Sequence, residues 1–335
     1  MGAATAYHLA MAGRRVLLLE QFGIGHKRGS SHGRSRIFRF SYPDPTYVAM
    51  AIEAQGLWLE LERAGDRFGQ VLIELGGLDV GDGIEANAAA LGEYGAPFEM
   101  LTGADVMKRH PSVSVPDDLP ALWQPDGGIV AADVALETFV SVARRSGAEV
   151  REKTPVTSIE EGEGLVAVVV GNEKVHAEAI VVTAGAWVRG LVEPLGIDVP
   201  VRPTRETIAY FKVDGDIGPT LVEWGDPSVY ALPSPRHTAL KVGEHIAGPD
   251  ADPNVEGDPD QSCIDRLATW VAERYPSAES EPFLAETCFY TNTDDQRFIL
   301  ERHGRVVVGS PCSGHGFKFA PLIGKQLAGL AQEVL

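Results

Sequence analysis

The chain has 335 residues, 44% of them hydrophobic, with three cysteines and a formal net charge of −18. Its length and apolar content predict a soluble protein with a large core and two domains, and its acidic balance excludes nucleic acid and anionic membrane surfaces as partners. Cys263, Cys288 and Cys312 show no framework spacing, and neither a leader nor a membrane span is expected, so the reading is a reducing, cytoplasmic setting without disulfides.

Met1 to Ala12 reads as an alanine-rich helix closed by Gly13, followed by Arg14-Arg15 and an apolar strand, Val16 to Leu19, that ends in Glu20. This is the second half of a βαβ unit. In a dinucleotide-binding fold a strand and the first glycines of G-x-G-x-x-G precede such a helix, and an acid about 20 residues on binds the ribose. Gly2 then stands as the last glycine and Glu20 as the ribose acid; the alternative is ordinary α/β structure with a solvated Glu20.

Gly29 to Tyr42 reads as a basic loop, and Thr46 to Ala64 has helical periodicity through Val48, Ile52, Leu57 and Leu61. Strands are expected near Val71 to Ile73 and Leu78 to Val80, then a helix from Glu85 to Tyr94. Asp126-Gly127-Gly128 marks a turn, Asp133 is the expected N-cap of a helix reaching Arg145, and Ala148 to Arg151 is strand-like. Val156 to Ile159, Leu165 to Val170 and Lys174 to Ala177 form a small meander. Ala179 to Trp187 then reads as a buried strand, a glycine and a helix start. Alternating segments follow at Arg205 to Val213, Leu221 to Trp224, Tyr230 to Leu232 and Thr238 to Val242, as in an antiparallel sheet. Gly248 to Asp260 is a surface loop and Asp260 to Tyr275 an amphipathic helix. Finally, strand Val306 to Val308 stops at a glycine cluster and restarts as a helix, which offers free backbone N–H groups to an electron-rich ring or a phosphate.

Five segments occur in order: Gly29-Ser-Ser-His-Gly-Arg-Ser-Arg-Ile-Phe-Arg39, Gly185-Ala-Trp187, Leu240-Lys-Val-Gly-Glu-His245, Cys288-Phe-Tyr-Thr-Asn-Thr293 and Ser313-Gly-His-Gly-Phe-Lys318. Over nearly the whole chain they resemble the monomeric sarcosine oxidase and N-methyltryptophan oxidase family of FAD-dependent amine oxidases. The resemblance implies an α/β fold. It would combine an FAD-binding, Rossmann-like domain of the glutathione-reductase type (1–45, 126–204 and 284–335) with an α+β substrate domain on an antiparallel sheet (46–125 and 205–283). It also implies that a first strand normally precedes Met1, so a truncated N-terminus is expected.

By the same resemblance, FAD is attached as a thioether through Cys288, whose thiolate the Arg36 and His32 pair would favour. Arg36 would lie against the flavin, with His32 and Ser35 beside it. Arg39 and Lys318 would clamp a substrate carboxylate, a role suited to arginine's planar fork. Lys241 matches the lysine that promotes reaction with oxygen by its positive charge. Tyr230, His245, Tyr290 and Thr291 match cavity-lining residues, and Asp44 stands where the family usually has glutamate. Val156, Gly185, Trp187, Ser313, Gly314, His315 and Gly316 complete the cofactor set, with no metal. The implied activity is oxidation of a secondary amino acid such as sarcosine or N-methyltryptophan by O2, in a monomer. The alternatives are a D-amino-acid, glycine or pipecolate oxidase, a dehydrogenase, or a non-catalytic flavin-fold protein. From the residues alone, Lys241 reads first as the wet face of a strand, Cys288 as an inert core thiol and the tyrosines as packing; their functional roles rest on the resemblance.

Overall fold

The computed structural model describes residues 1–65, 69–162, 164–235, 239–246 and 248–334. Helix Gly2–Met11 packs between helices Ala132–Arg145 and Ala320–Gln332. The interface is built from small side chains (Ala4, Ala6, Ala10, Ala135, Ala143, Ala331), which is how an alanine-rich helix can be buried on more than one side. Strand Leu17–Leu19 pairs in parallel with Glu149–Arg151, and Ile180–Val182 pairs in parallel with Val306–Ser310. The meander expected between them is present as Ser158–Glu161, Val166–Val170 and Glu173–Ala177.

An eight-stranded sheet forms the other side of the molecule. Its order is Leu284–Asn292, Arg202–Lys212, Ala239–Glu244, Val229–Ser234, Thr220–Trp224, Gly77–Gly81, Pro120–Gln124 and Glu99–Thr102, antiparallel except where Thr220–Trp224 meets Gly77–Gly81. One face carries Ala209, Phe211, Leu240 and Val242 against helix Gln261–Arg274. The period of two then sends Ile208, Tyr210, Cys288 and Tyr290 to the opposite face. Lys241 lies between Leu240 and Val242, directly across from Tyr210 and Leu232, so it belongs to that second face.

Two local expectations are corrected. Gly29 to Tyr42 is not wholly a loop: Ser35–Phe38 is a strand, paired with Gly128–Ala131, which in turn pairs with Leu72–Glu74. Its ladder partners lie far along the chain, so local composition could not reveal it. Asp133 is not the N-cap of its helix; Ala131 is, and the Asp133 carboxylate accepts from the Val134 N–H instead. The first N–H of that helix, from Ala132, is taken by the Arg34 carbonyl, so no side-chain cap is needed there. The strand expected from Thr238 to Val242 is present over Ala239–Glu244, while Thr238 itself lies outside the described residues. Among the described residues no helix is long and apolar enough to cross a membrane.

Candidate active site

A cavity of about 1650 Å³ runs from the end of helix Gly2–Met11 and strand Leu17–Leu19 to the second face of the large sheet. Gly2, Glu20, His32, Ser35, Arg36, Arg39, Val156, Gly185, Trp187, Tyr230, Lys241, His245, Cys288, Tyr290, Thr291, Gly314, His315, Gly316 and Lys318 all line it. Residues from the whole length of the chain therefore converge. Two predicted residues are not on this surface. Asp44 is partly exposed and its carboxylate accepts from the Thr46 N–H at the start of helix Pro45–Gly65, which also holds its pKa low. Ser313 is buried and turned away: its N–H donates to the Thr291 carbonyl and its Oγ accepts from the Thr293 N–H, tying the glycine loop to the end of strand Leu284–Asn292.

One wall of the cavity is cationic. Arg36 donates to three carbonyls, those of Ser30, His32 and Ser35, and lies over the Phe317 ring. Lys241 is buried and donates to the Ser35 carbonyl at 3.2 Å. Burial, with Arg36 nearby, lowers its pKa to about 7. Cys288 is buried as well. Arg36 and Lys241 do favour its thiolate, but burial outweighs them and pushes the thiol up to about 11. His32 is not the expected cation: burial and then Arg36 bring it down to about 4, and its Nδ1 meets the Gly29 carbonyl at 3.0 Å.

The opposite end is built around Arg39 and Lys318. Arg39 lies between the rings of Tyr42 and Trp224, at 4.3 and 4.9 Å from their centroids. Lys318 sits in the short turn Phe317–Phe319 before helix Ala320–Gln332, with its Nζ donating to Tyr42 Oη at 2.8 Å and to the His315 carbonyl at 2.9 Å. Burial, then Arg39, lowers the Lys318 pKa well below the usual lysine range. Beside them His245 is driven to about 4 by burial and by the same two cations, so it is a neutral imidazole at physiological pH. Tyr230 and Tyr290 are neutral phenols, their pKa values raised by burial. Gly243 makes room for Tyr230: a Cβ there would lie 2.6 Å from its hydroxyl. Gly314 has φ of +74°, and a Cβ would lie 2.3 Å from the Tyr290 ring and 2.8 Å from His245.

Trp224, Cys312 and Ser310 also line this cavity but were not singled out by their sequence context. Cys312 Sγ accepts from the Thr291 N–H at 3.2 Å. Asp79 stands behind the wall on the strand expected near Leu78 to Val80, where a carboxylate between two apolar residues is itself a signal.

The residues present fit a flavin dinucleotide. Ser35 Oγ, Thr291 Oγ1 and Ser310 Oγ are buried without a hydrogen-bond partner among the described residues, and all three side chains belong to the cavity wall. A ligand rich in polar atoms would satisfy them. Glu20 lies at the end of strand Leu17–Leu19, its Oε1 accepting from the Phe22 N–H and 3.4 Å from His26 Nε2, and so presents a carboxylate at one end of the cavity. No group of three or more His, Cys, Asp or Glu side chains among the described residues is placed to hold a metal ion.

The profile of a family described as FAD dependent oxidoreductase matches residues 1–330. Human peroxisomal sarcosine oxidase is 34% identical, the match covering 99% of this chain and 90% of that one. The monomeric sarcosine oxidase of Bacillus sp. (strain B-0618) is 30% identical over 99% of this chain and 89% of its own. Among solved structures, NikD, an unusual amino acid oxidase essential for nikkomycin biosynthesis, superposes with a TM-score of 0.89 at 25% identity, covering 99% of this chain and 91% of that chain.

Proposed function

The chain belongs to the FAD-dependent oxidoreductase family, and on that premise we propose that it oxidises a small secondary amino acid of the N-methyl type, with O2 as acceptor and FAD held covalently through Cys288. The sarcosine oxidase relatives support this substrate class. The observation that carries it is the composition of the wall around Arg39: two cations, one permanently charged, adjoin a neutral imidazole and two neutral phenols. A carboxylate is drawn to the first group, and an uncharged secondary amine is tolerated by the second.

When bound, FAD supplies the two-electron acceptor that the side chains lack, taking a hydride equivalent from the substrate and passing electrons on to oxygen. Gly2, Glu20, Val156, Gly185, Trp187, His32, Ser35, Arg36, Gly314, His315 and Gly316 would hold it. Arg39 and Lys318 fix the substrate carboxylate and so set the distance of the amine from His245 and Tyr230. His245, uncharged near neutrality, adds no positive charge beside the substrate amine and so favours its neutral form. Lys241 presents its positive charge where negative charge develops on oxygen, and is best supplied with it below about pH 7. The division into a nucleotide half and a substrate half, and action as a monomer, belong to the same reading.

Peroxide release over a panel of glycine, sarcosine, N-methyltryptophan, pipecolate and D-alanine tests it. Turnover highest with an N-methyl amino acid is expected; peroxide only from the primary amines would refute the assignment.

A further inference from the structure

Asp79 is 1% exposed, and its carboxylate has been taken out of water at a cost that demands partners. It has four, from three separate parts of the chain. Oδ1 accepts from Trp224 Nε1 at 2.9 Å and lies 3.7 Å from Arg39 Nη1; Oδ2 accepts from Gln124 Nε2 at 2.8 Å and from the Ser41 hydroxyl. Gln124 turns its other amide atom to the Phe40 and Ser41 N–H groups, both at 2.9 Å. The Ser41 hydroxyl and carbonyl both accept from Arg39 Nη1. The carboxylate thus organises the loop that carries Arg39, the guanidinium itself and the indole stacked on it. Asp79 does not reach the cavity, whereas Arg39 and Trp224 do.

We propose that Asp79 is the positioning residue and built-in counter-charge of the Arg39 and Lys318 anion site, acting through Arg39 and through the Trp224 indole that walls it. This rests on the carboxylate-clamp reading above. Two buried cations side by side repel each other, and without a fixed negative charge the weaker of the pair, Lys318, gives up its proton and stops attracting anions. The groups facing Lys318 are Arg39, Asp79, Tyr42, His315 and His245. Tyr42 is a neutral phenol with its pKa raised by burial, and His315 is held near 3, chiefly by burial and then by Lys318 itself. Since His245 is also neutral, Asp79 is the carboxyl group of the cluster: burial raises its pKa, and Arg39 with the Ser41, Trp224 and Gln124 donors acts against burial to keep its negative charge. It favours the protonated amine, against burial and Arg39. Trp224, fixed by its N–H, sets how closely the substrate's side chain can approach the carboxylate end, so the pair also limits substrate size there.

The test is calorimetric titration of the flavin-loaded enzyme with benzoate, a carboxylate without an amine, from pH 6 to 9. Asp79→Asn keeps the shape but removes the charge and sets an amide N–H against Gln124. Its affinity should fall about tenfold at pH 8, the scale of a hydrogen bond to a charged group, and recover toward the wild-type value as pH is lowered. The midpoint of its pH profile should move to the acid side. A purely structural Asp79 would alter melting temperature and flavin content but leave that midpoint in place, and a profile superposing on wild type overturns the proposal. Should Asp79→Asn not fold, Trp224→Phe removes the N–H while keeping a ring over Arg39. Several-fold weaker binding with an unmoved midpoint is then expected, and unchanged affinity overturns it. Arg39→Met separates the two ideas. If it binds benzoate as wild type does, the clamp itself is misassigned; if it binds weakly while Asp79→Asn does not, only the counter-charge is wrong.

Discussion

Replacing Lys318 by methionine separates a binding lysine from a structural one, because the two roles move stability in opposite directions. The Lys318 amine is buried, and its pKa lies well below the ordinary value, first through burial and then through Arg39. The folded protein therefore holds fewer protons at this site than the unfolded chain does between the lowered pKa and the usual one, and in that window its stability rises with pH. At pH 7 the unfolded chain keeps the ammonium in water while the folded state must either bury that charge or give up the proton, so the wild-type side chain opposes folding there. Methionine fills much of the same volume without a charge. It leaves the Trp58 indole N–H on the Lys318 carbonyl, since that bond is to backbone, and Tyr42 Oη keeps His315 Nδ1 at 3.3 Å. The His315 carbonyl loses one donor, a cost of about 1 kcal/mol. Melting temperature should thus stay level or rise. Binding of a carboxylate should weaken by about 1.5 to 3 kcal/mol, the worth of a hydrogen bond to a charged group, or roughly 10- to 150-fold. Thermal melts and benzoate titration at pH 7 read the two quantities on one preparation. Unchanged benzoate affinity, or a melting point several degrees lower with affinity intact, would refute the argument.

Cys288→Ser should fold and bind flavin but release it on acid precipitation, whereas the wild-type precipitate stays yellow; colour lost equally from both excludes the thioether. For Lys241 the folded pKa of about 7 against an ordinary 10.5 means that the unfolded state holds the extra proton between those values. Wild-type stability should therefore climb relative to Lys241→Met as pH rises from 7 to 9 in urea melts, and the oxygen-dependent half of turnover should slow over the same range. Equal pH slopes for the two proteins would show that the amine is not buried as described. Glu223→Gln uncouples helix Gln261–Arg274 from the large sheet, because Glu223 accepts from Arg274 Nε and Nη2 and from Trp270 Nε1, each at 2.8 Å. Leaving the largely buried Arg274 with only the exposed Glu273 carboxylate should cost about 3 kcal/mol in chemical denaturation with little effect on turnover, and a loss below ~0.5 kcal/mol would mark the pair as a surface contact.

Much of the architecture is legible without coordinates because its signals are local. The alanine-rich helix, the alternation around Lys241 and the Val-Val-Val-Gly passage each carry their own period or breaker, and five short motifs in order suffice to point to the flavin enzymes. Local signals also explain the errors. Ser35–Phe38 becomes a strand only because Gly128–Ala131 supplies its ladder partners, and Ala132 needs no cap only because the Arg34 carbonyl is there. Asp44 matched a motif position, yet the start of a helix takes its carboxylate away from the cavity.

The chain by itself determined which residue types stand ready for the chemistry: a cysteine, four basic side chains (Arg36, Arg39, Lys241 and Lys318) and a set of phenols and imidazoles at recognisable spacings. Tertiary structure alone decided their charges. Protonation reflects burial and the sum of Coulomb contributions from groups distant in the chain, so His32 and His245 become neutral, Lys241 titrates near 7, and Cys288 is held as a thiol despite its cations. The same holds for Asp79, which on its strand is one polar residue among apolar ones. It becomes the carboxylate behind Arg39 only when Ser41, Gln124 and Trp224 are folded around it.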